Sequence, residues 1–163
     1  MGEATRTRRH QLDATDRLIL RTLQADGRIT NVELAERAGL TAPPCLRRVR
    51  ALEEAGVIRG YHADLSAEAL GFPVTVFAMV SLKSQADADL RAFEAHVAGL
   101  PQVRECHMLN GEIDFLLRIV ARDLHDFHNF LMDKLTSAPN VASVKSSLTI
   151  RSAKVEPGVP VGD

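Results

Sequence analysis

Arg47, Arg48 and Arg50 crowd one stretch of the chain, Thr41-Ala42-Pro43-Pro44-Cys45-Leu46-Arg47-Arg48-Val49-Arg50. Guanidiniums at that spacing repel one another unless an anion compensates. The planar fork of arginine fits two such targets, phosphate oxygens and the O6/N7 edge of guanine. If the stretch is helical, Cys45, Leu46, Val49 and Leu52 gather on one side at about 100° per residue. Arg47 then points nearly opposite, with Pro43, Arg50 and Ala51 on the same outward half and Arg48 on its flank. A solvated face explains only part of this. Arg50 has Glu53 and Glu54 at i+3 and i+4, but Arg47 and Arg48 have no acid at i−3 or i−4 and meet Ala51 and Leu52 at i+4. The chemistry in view is recognition of a polyanion.

A second candidate is the turn Asn110-Gly111-Glu112-Ile113-Asp114. Its glycine lets a ligand approach the backbone closely, and the Asp114 carboxylate suits an α-ammonium group. The plainer alternative is a hairpin turn with a solvated aspartate. If a ligand binds there, Met108, Leu109 and the turn from Ser137 to Asn140 are candidates to line the same site. His125 and His128 stand at i,i+3 with Asp126 beside them, and His107 lies on a strand. A metal site needs three or four converging ligands and no third is in view, so no metal is expected. The cysteines, Cys45 and Cys106, fall in different halves of the chain. They read as packing residues, and a reducing compartment is the expected setting. No Gly-rich phosphate loop, nucleophile elbow or HExxH pattern appears. No catalytic residue and no cofactor are therefore expected, and the chain is read as not an enzyme.

These residues need elements to hold them. Leu12, Ile19, Leu20 and Leu23 fit a helical stripe opened by Asp13 and ended at Gly27. Thr30-Asn31-Val32-Glu33 has capping-box spacing, and the helix it opens stops at Gly39. Thr41 is the next N-cap candidate, Pro43 and Pro44 sit in a first turn, and helix runs to Gly56. Two helices joined by a short glycine turn make a helix-turn-helix unit, whose second helix meets base edges with its N-terminal half. Thr41, Pro43, Arg47, Arg48 and Arg50 are the expected DNA contacts, with Arg28 and Asn31 at phosphates. Val57–Tyr61 reads as a short strand leaving the unit. Beyond the connector, Val74–Leu82, Val103–Leu109, Phe115–Ala121 and Val141–Ile150 read as strands. Asp89–Ala98 and Leu124–Leu135 read as helices, the latter with Leu124, Phe127, Leu131 and Leu135 on one stripe. That order, βαββαβ, is ferredoxin-like.

The fold class is thus α+β, a winged helix-turn-helix followed by a ferredoxin-like βαββαβ domain. The expected boundaries are a flexible arm over 1–11, the DNA-binding domain over 12–62 and a linker over 63–73. The ferredoxin-like domain follows over 74–155, and a tail over 156–163. Composition agrees with two modules. The 163 residues are 45% hydrophobic and carry a net charge of −1, but the charge is uneven. Residues 1–62 hold 11 arginines, no lysine and 8 acids, a balance of +3, while the remainder carries −4. A basic third joined to an acidic remainder suggests different partners for each. No signal peptide is read at the start and no run approaches the ~18 apolar residues of a membrane span. A cytoplasmic protein without a membrane partner is expected.

The residues now form a recognisable pattern. Leu12-Asp13 with Asp16, Ile19-Leu20, Gly27-Arg28-Ile29-Thr30-Asn31-Val32-Glu33-Leu34-Ala35, Gly39-Leu40-Thr41, Cys45-Leu46-Arg47-Arg48-Val49 and the run from Leu52 to Tyr61 closely resemble the N-terminal half of Lrp/AsnC (leucine-responsive, feast/famine) transcriptional regulators. The second half resembles that family's ligand-sensing domain, including Glu105-Cys106 and the Gly111…Asp114 loop. Together the match runs from Leu12 to Val155. The resemblance implies that 74–155 is an ACT-like βαββαβ sensor, an effector-binding and oligomerisation domain whose sheets pair into dimers that assemble further, into tetramers, octamers or larger rings. It also implies an amino acid or related metabolite bound between dimers, and promoter or operator DNA as the partner of the reader. By resemblance the effector loop is Asn110–Asp114, giving Met108, Leu109, Asn110, Gly111, Glu112 and Asp114 as effector-binding candidates. Asn110 stands where the family often has Thr or Ser, and Ile113 where an aromatic or polar residue is common. The expected function is sequence-specific regulation of transcription in response to that effector. The alternatives are an architectural nucleoid protein with little effector response and an enzyme or enzyme-regulatory subunit built on the ferredoxin-like half.

Overall fold

Local capping chemistry sets the helix boundaries of the first half in a computed structural model that describes residues 11–162. The expected arm over 1–11 lies, but for its last residue, outside the described residues. Helix α1 (Ala14–Ala25) opens on a reciprocal box: the Asp13 carboxylate accepts from the Asp16 backbone N–H at 2.7 Å, and the Asp16 carboxylate from the Asp13 N–H at 3.2 Å. Helix α2 (Asn31–Arg37) repeats the arrangement with Thr30 and Glu33, as their spacing predicts. Helix α3 (Ala42–Glu54) starts after Thr41 with proline in its first turn.

Gly39 and Gly56 close α2 and α3 at φ of 66° and 69°, a conformation in which a Cβ is costly. In both, the next N–H groups fold back: Gly39 to Glu36 O and Leu40 to Ala35 O, then Gly56 to Glu53 O and Val57 to Leu52 O. Ile19, Leu34, Ala35, Cys45, Val49 and Leu52 form the buried centre of this unit. Leu46, expected with them, is 37% exposed. It lies one position round the helix from the Cys45–Val49–Leu52 line, beyond the arc that the neighbouring helices cover. The strand expected at Val57–Tyr61 is also absent among the described residues. No other described segment pairs with it, and the Val57 and Ile58 N–H groups are spent on Leu52 O, closing α3.

The second unit is built as β1 (Val74–Leu82), α4 (Asp87–Ala98), β2 (Val103–Met108), β3 (Phe115–Ala121), α5 (Leu124–Phe130) and β4 (Val141–Leu148). Its sheet has the order β2-β3-β1-β4 and is antiparallel throughout. This is the ferredoxin-like arrangement. Ala78, Val80, Leu82, Phe115, Leu117 and Ile119 face Phe93 and Val97 of α4 and Phe130 of α5. The Phe93 and Phe115 rings lie 4.7 Å apart at 39°. The alternate residues Phe77, Met79, Leu116 and Arg118 point to the other face, which neither helix of this unit covers. A π-helical turn, Leu131–Leu135, continues α5, with Thr136 N bonded to Leu131 O. It brings Leu135 to full burial, while Leu124 stays 59% exposed and off the expected stripe.

Contacts divide the chain into two units: residues through Asp64 with those from Lys154 onward, and Leu65–Ala153. The tail belongs to the first, where the Gln24 amide donates to Val159 O at 3.0 Å and accepts from Val159 N at 3.3 Å. No helix among the described residues is long and apolar enough to cross a membrane.

Candidate functional site

Burial on one side of α3 dictates what its other side shows. Cys45, Val49 and Leu52 are packed inward, so Pro43, Arg47 and Arg50 are exposed, with Thr41 exposed just ahead of the helix. Thr41 occupies the N-cap position, yet its hydroxyl makes no capping hydrogen bond. Among the described residues neither Arg47 nor Arg50 has an ion pair. Of the two local partners expected for Arg50, Glu54 makes no ion pair with it, and Glu53 is engaged elsewhere, accepting from the Tyr61 hydroxyl at 2.9 Å. Burial and that carboxylate push the Tyr61 phenol up to about 12, so it stays a donor.

Two expected contacts are placed differently. By spacing, Arg48 falls among outward arginines lacking a local acid. Its Nη1 instead donates to Asp13 Oδ2 at 2.7 Å and to Asp16 Oδ1 at 2.8 Å, acids 35 and 32 residues away. Asn31 turns its amide inward, donating to Ala42 O at 2.9 Å and so tying the start of α2 to the start of α3. Its Oδ1 is buried without a hydrogen-bond partner. Arg28 remains exposed beside them, its backbone N–H on Asp26 Oδ1. Sequence reasoning missed two pairings, Arg48 with Asp13 and Asp16 and Tyr61 with Glu53, and the capping role of Asp16. Asp13 and Asp16 carry the same i,i+3 box spacing as Thr30 and Glu33, a signal that was available.

In the second unit four element ends meet at one end of the sheet: those of β1 and β2 and the starts of β3 and β4. Asp114 brackets them. Its Oδ2 accepts from Leu82 N at 2.7 Å, its N–H donates to Val80 O at 3.0 Å, and its carbonyl accepts from Leu109 N at 2.8 Å. The carboxylate expected to meet an α-ammonium is thus already half engaged in holding the loop. Asn110, Gly111 and Glu112 are exposed, Met108 is 60% and Leu109 39% exposed, and a Cβ on Gly111 would meet nothing. The turn from Ser137 to Asn140 joins the same end, since Asn140 donates to Ser84 O and accepts from Lys83 N.

On the uncovered sheet face Glu105 accepts from Arg118 Nε at 2.6 Å and lies 3.3 Å from His107. Burial works to raise the Glu105 carboxyl, but the Arg118 and His107 hydrogen bonds outweigh it and hold the group below its usual range. Among the described residues no cluster of His, Cys, Asp and Glu suits a metal ion. Cys45 is buried, and burial followed by the Glu94 charge pushes the Cys106 thiol up, away from the nucleophilic thiolate.

Comparison with known proteins follows the same two units. A family model described as winged helix-turn-helix DNA-binding matches residues 12–59, and one described as the Lrp/AsnC ligand binding domain matches residues 75–159. The leucine-responsive regulatory protein of Rhizobium meliloti is 60% identical over 90% of this chain and 94% of its own. The Bkd operon transcriptional regulator of Pseudomonas aeruginosa is 40% identical over 93% of this chain and 99% of its own. A transcriptional regulator of Neisseria meningitidis, solved in complex with L-Met, matches with a TM-score of 0.88 and 40% identity, covering 92% of this chain and 97% of that one. AsnC of E. coli matches with a TM-score of 0.82 and 25% identity over 89% and 96%.

Proposed function

The chain belongs to the Lrp/AsnC family of transcriptional regulators, and from that premise we propose that α3 reads promoter DNA while the sensor sheet holds an amino acid or related small metabolite. The observation that carries the reading is the exposed pair Arg47 and Arg50, without an ion pair among the described residues, on a helix whose opposite side is packed. In the major groove the fork of Arg47 reaches guanine O6 and N7 or a phosphate, and Arg50 a neighbouring phosphate. Thr41, with its uncommitted hydroxyl, and Pro43 meet the backbone or base edges at the N-terminal end of α3. Arg28 adds a phosphate contact. Asn31 supports α3 from inside.

The effector sits at the sheet end formed by Met108, Leu109, Asn110, Gly111 and Glu112, with Asp114 fixing the loop. The Neisseria relative's L-Met supports an amino acid as ligand class. The uncovered sheet face pairs two copies, and dimers join into tetramers or octamers. A metabolite that binds differently to two assembly states shifts their populations and with them DNA occupancy. The protein acts in the cytoplasm, without cofactor, metal or catalytic step.

A gel-shift on the DNA upstream of its own gene, repeated with each amino acid, tests this. Sequence-selective retardation that one amino acid shifts is expected. Equal binding to all duplexes with no shift would instead fit an architectural protein, and no binding at low salt would overturn the reading.

A further inference from the structure

All four carboxylate oxygens of the α1 capping box are engaged. Asp13 Oδ1 caps the Asp16 N–H and Asp16 Oδ2 caps the Asp13 N–H, while the remaining oxygens, Asp13 Oδ2 and Asp16 Oδ1, both accept from Arg48 Nη1. Asp16 is the buried charged residue among the described residues, its side chain 8% exposed, and the Arg48 guanidinium lies 2.8 Å from it. Two carboxylates held this close repel, and a single guanidinium from α3 offsets both. If Arg48 swung out to a phosphate, Asp16 would be left as an uncompensated buried charge beside a like charge. Arg48 lies between Arg47 and Arg50 in sequence, so whatever fixes Arg48 fixes the rotation and depth of the arginines on the other side of the same helix.

We infer that Arg48 is a positioning residue rather than a DNA ligand. It clamps α3 to the capping box of α1 and so sets the angle at which Arg47 and Arg50 meet the duplex. The inference rests on the DNA-binding reading of α3 and assigns its residues different parts: Arg47 and Arg50 touch DNA, while Arg48, Asp13 and Asp16 aim them. One consequence is counterintuitive. Neutralising Asp16 removes a negative charge from a DNA-binding unit, yet it should weaken recognition.

The test measures equilibrium binding of the full chain to its upstream duplex and to a scrambled duplex across a salt series. Wild type, R47A, R48A, D16N and the R48A/D16N pair are compared at a temperature where circular dichroism reports every variant folded. R48A and D16N should each lose about five- to thirtyfold in specific affinity, with scrambled-duplex binding nearly unchanged. The double variant should bind no worse than the weaker single one, because both remove one clamp. The salt slope of R48A should match wild type, since no phosphate contact is lost. A slope reduced by about one in R48A, or D16N binding as tightly as wild type, overturns the inference. Should R48A not fold, D13N carries the same comparison, because it weakens one half of the clamp at a half-exposed site. Wild type that ignores sequence would fail the DNA reading itself, whereas a selective wild type with unchanged D16N fails the clamp alone.

Discussion

Two side chains of the same type, one position apart, have opposite surroundings in α3. Arg47 is exposed and without an ion pair among the described residues, and Arg48 is held by two carboxylates. The difference gives Arg47→Ala a defined signature. It should weaken operator binding by about 1–3 kcal/mol if the fork reads guanine, relaxing preference at that base, or lower the salt slope by about one if it holds a phosphate. Titration of a binding isotherm at several salt concentrations separates the two, and unchanged affinity removes Arg47 from the interface. Asp114 calls for a different experiment, because its carboxylate accepts from Leu82 N at 2.7 Å. Asp114→Ala should destabilise the sensor by roughly 1.5–3 kcal/mol, the worth of a hydrogen bond to a charged group. Urea unfolding checks it. A variant of native stability that has lost effector binding would instead make Asp114 a ligand group.

At the scale of the element, the reciprocal caps of α1 and α2 tie stability to acid. The Asp16 backbone N–H, then the Arg48 guanidinium, hold the Asp13 carboxyl below its ordinary range, and the Thr30 hydroxyl and then its N–H do the same for Glu33. Depressed folded pKa values mean stability that is fully present above the unfolded values and lost as pH falls through the folded ones. The helix-turn-helix unit should therefore melt at progressively lower temperature below roughly pH 4. Asp13→Asn and Glu33→Gln should each flatten that acid limb, as followed by far-UV circular dichroism. Boundaries of this kind were legible because a cap is a contact over three residues: Thr30 to Glu33, and Gly39 and Gly56 at their stops. The β-branched, apolar run of β1 is local in the same way, and so is the turn sequence from Asn110 to Asp114 that sets β3 off from β2. What stayed hidden depends on distant partners. Arg48 meets acids 32 and 35 residues away, and Asp114 meets Leu82 at a separation of 32. The segment 57–61 has strand-like composition but nothing to pair with, and the π turn after α5 follows from how Leu135 reaches the core.

For the whole molecule, a balance of +3 over residues 1–62 is small, and non-specific affinity of one reader should be modest and steeply salt-dependent. Useful occupancy then depends on linking several readers through the sensor. The surface available for that is the uncovered sheet face, where Phe77 of β1 stands between Arg118 of β3 and Ser147 of β4 and keeps 36% of its area exposed. Phe77 shares that face with the part-buried Met79 and Leu116, and this apolar patch is the surface on which the proposed pairing would rest. It lies outside the first unit and outside the loop assigned to the effector, so a change there should leave each reader and each sensor folded. Phe77→Lys places a charge on each copy of a paired face, where burial without a partner is costly. Light scattering should find it monomeric where the parent is a dimer or larger. Its affinity for an operator with two half-sites should fall by about 10²–10⁴, the gain that linkage of two binding modules supplies. Binding to an isolated half-site should hardly change, which separates loss of assembly from damage to α3. If Phe77→Lys keeps the parent's mass in solution, the copies join through another surface, and the sheet face then needs a different occupant.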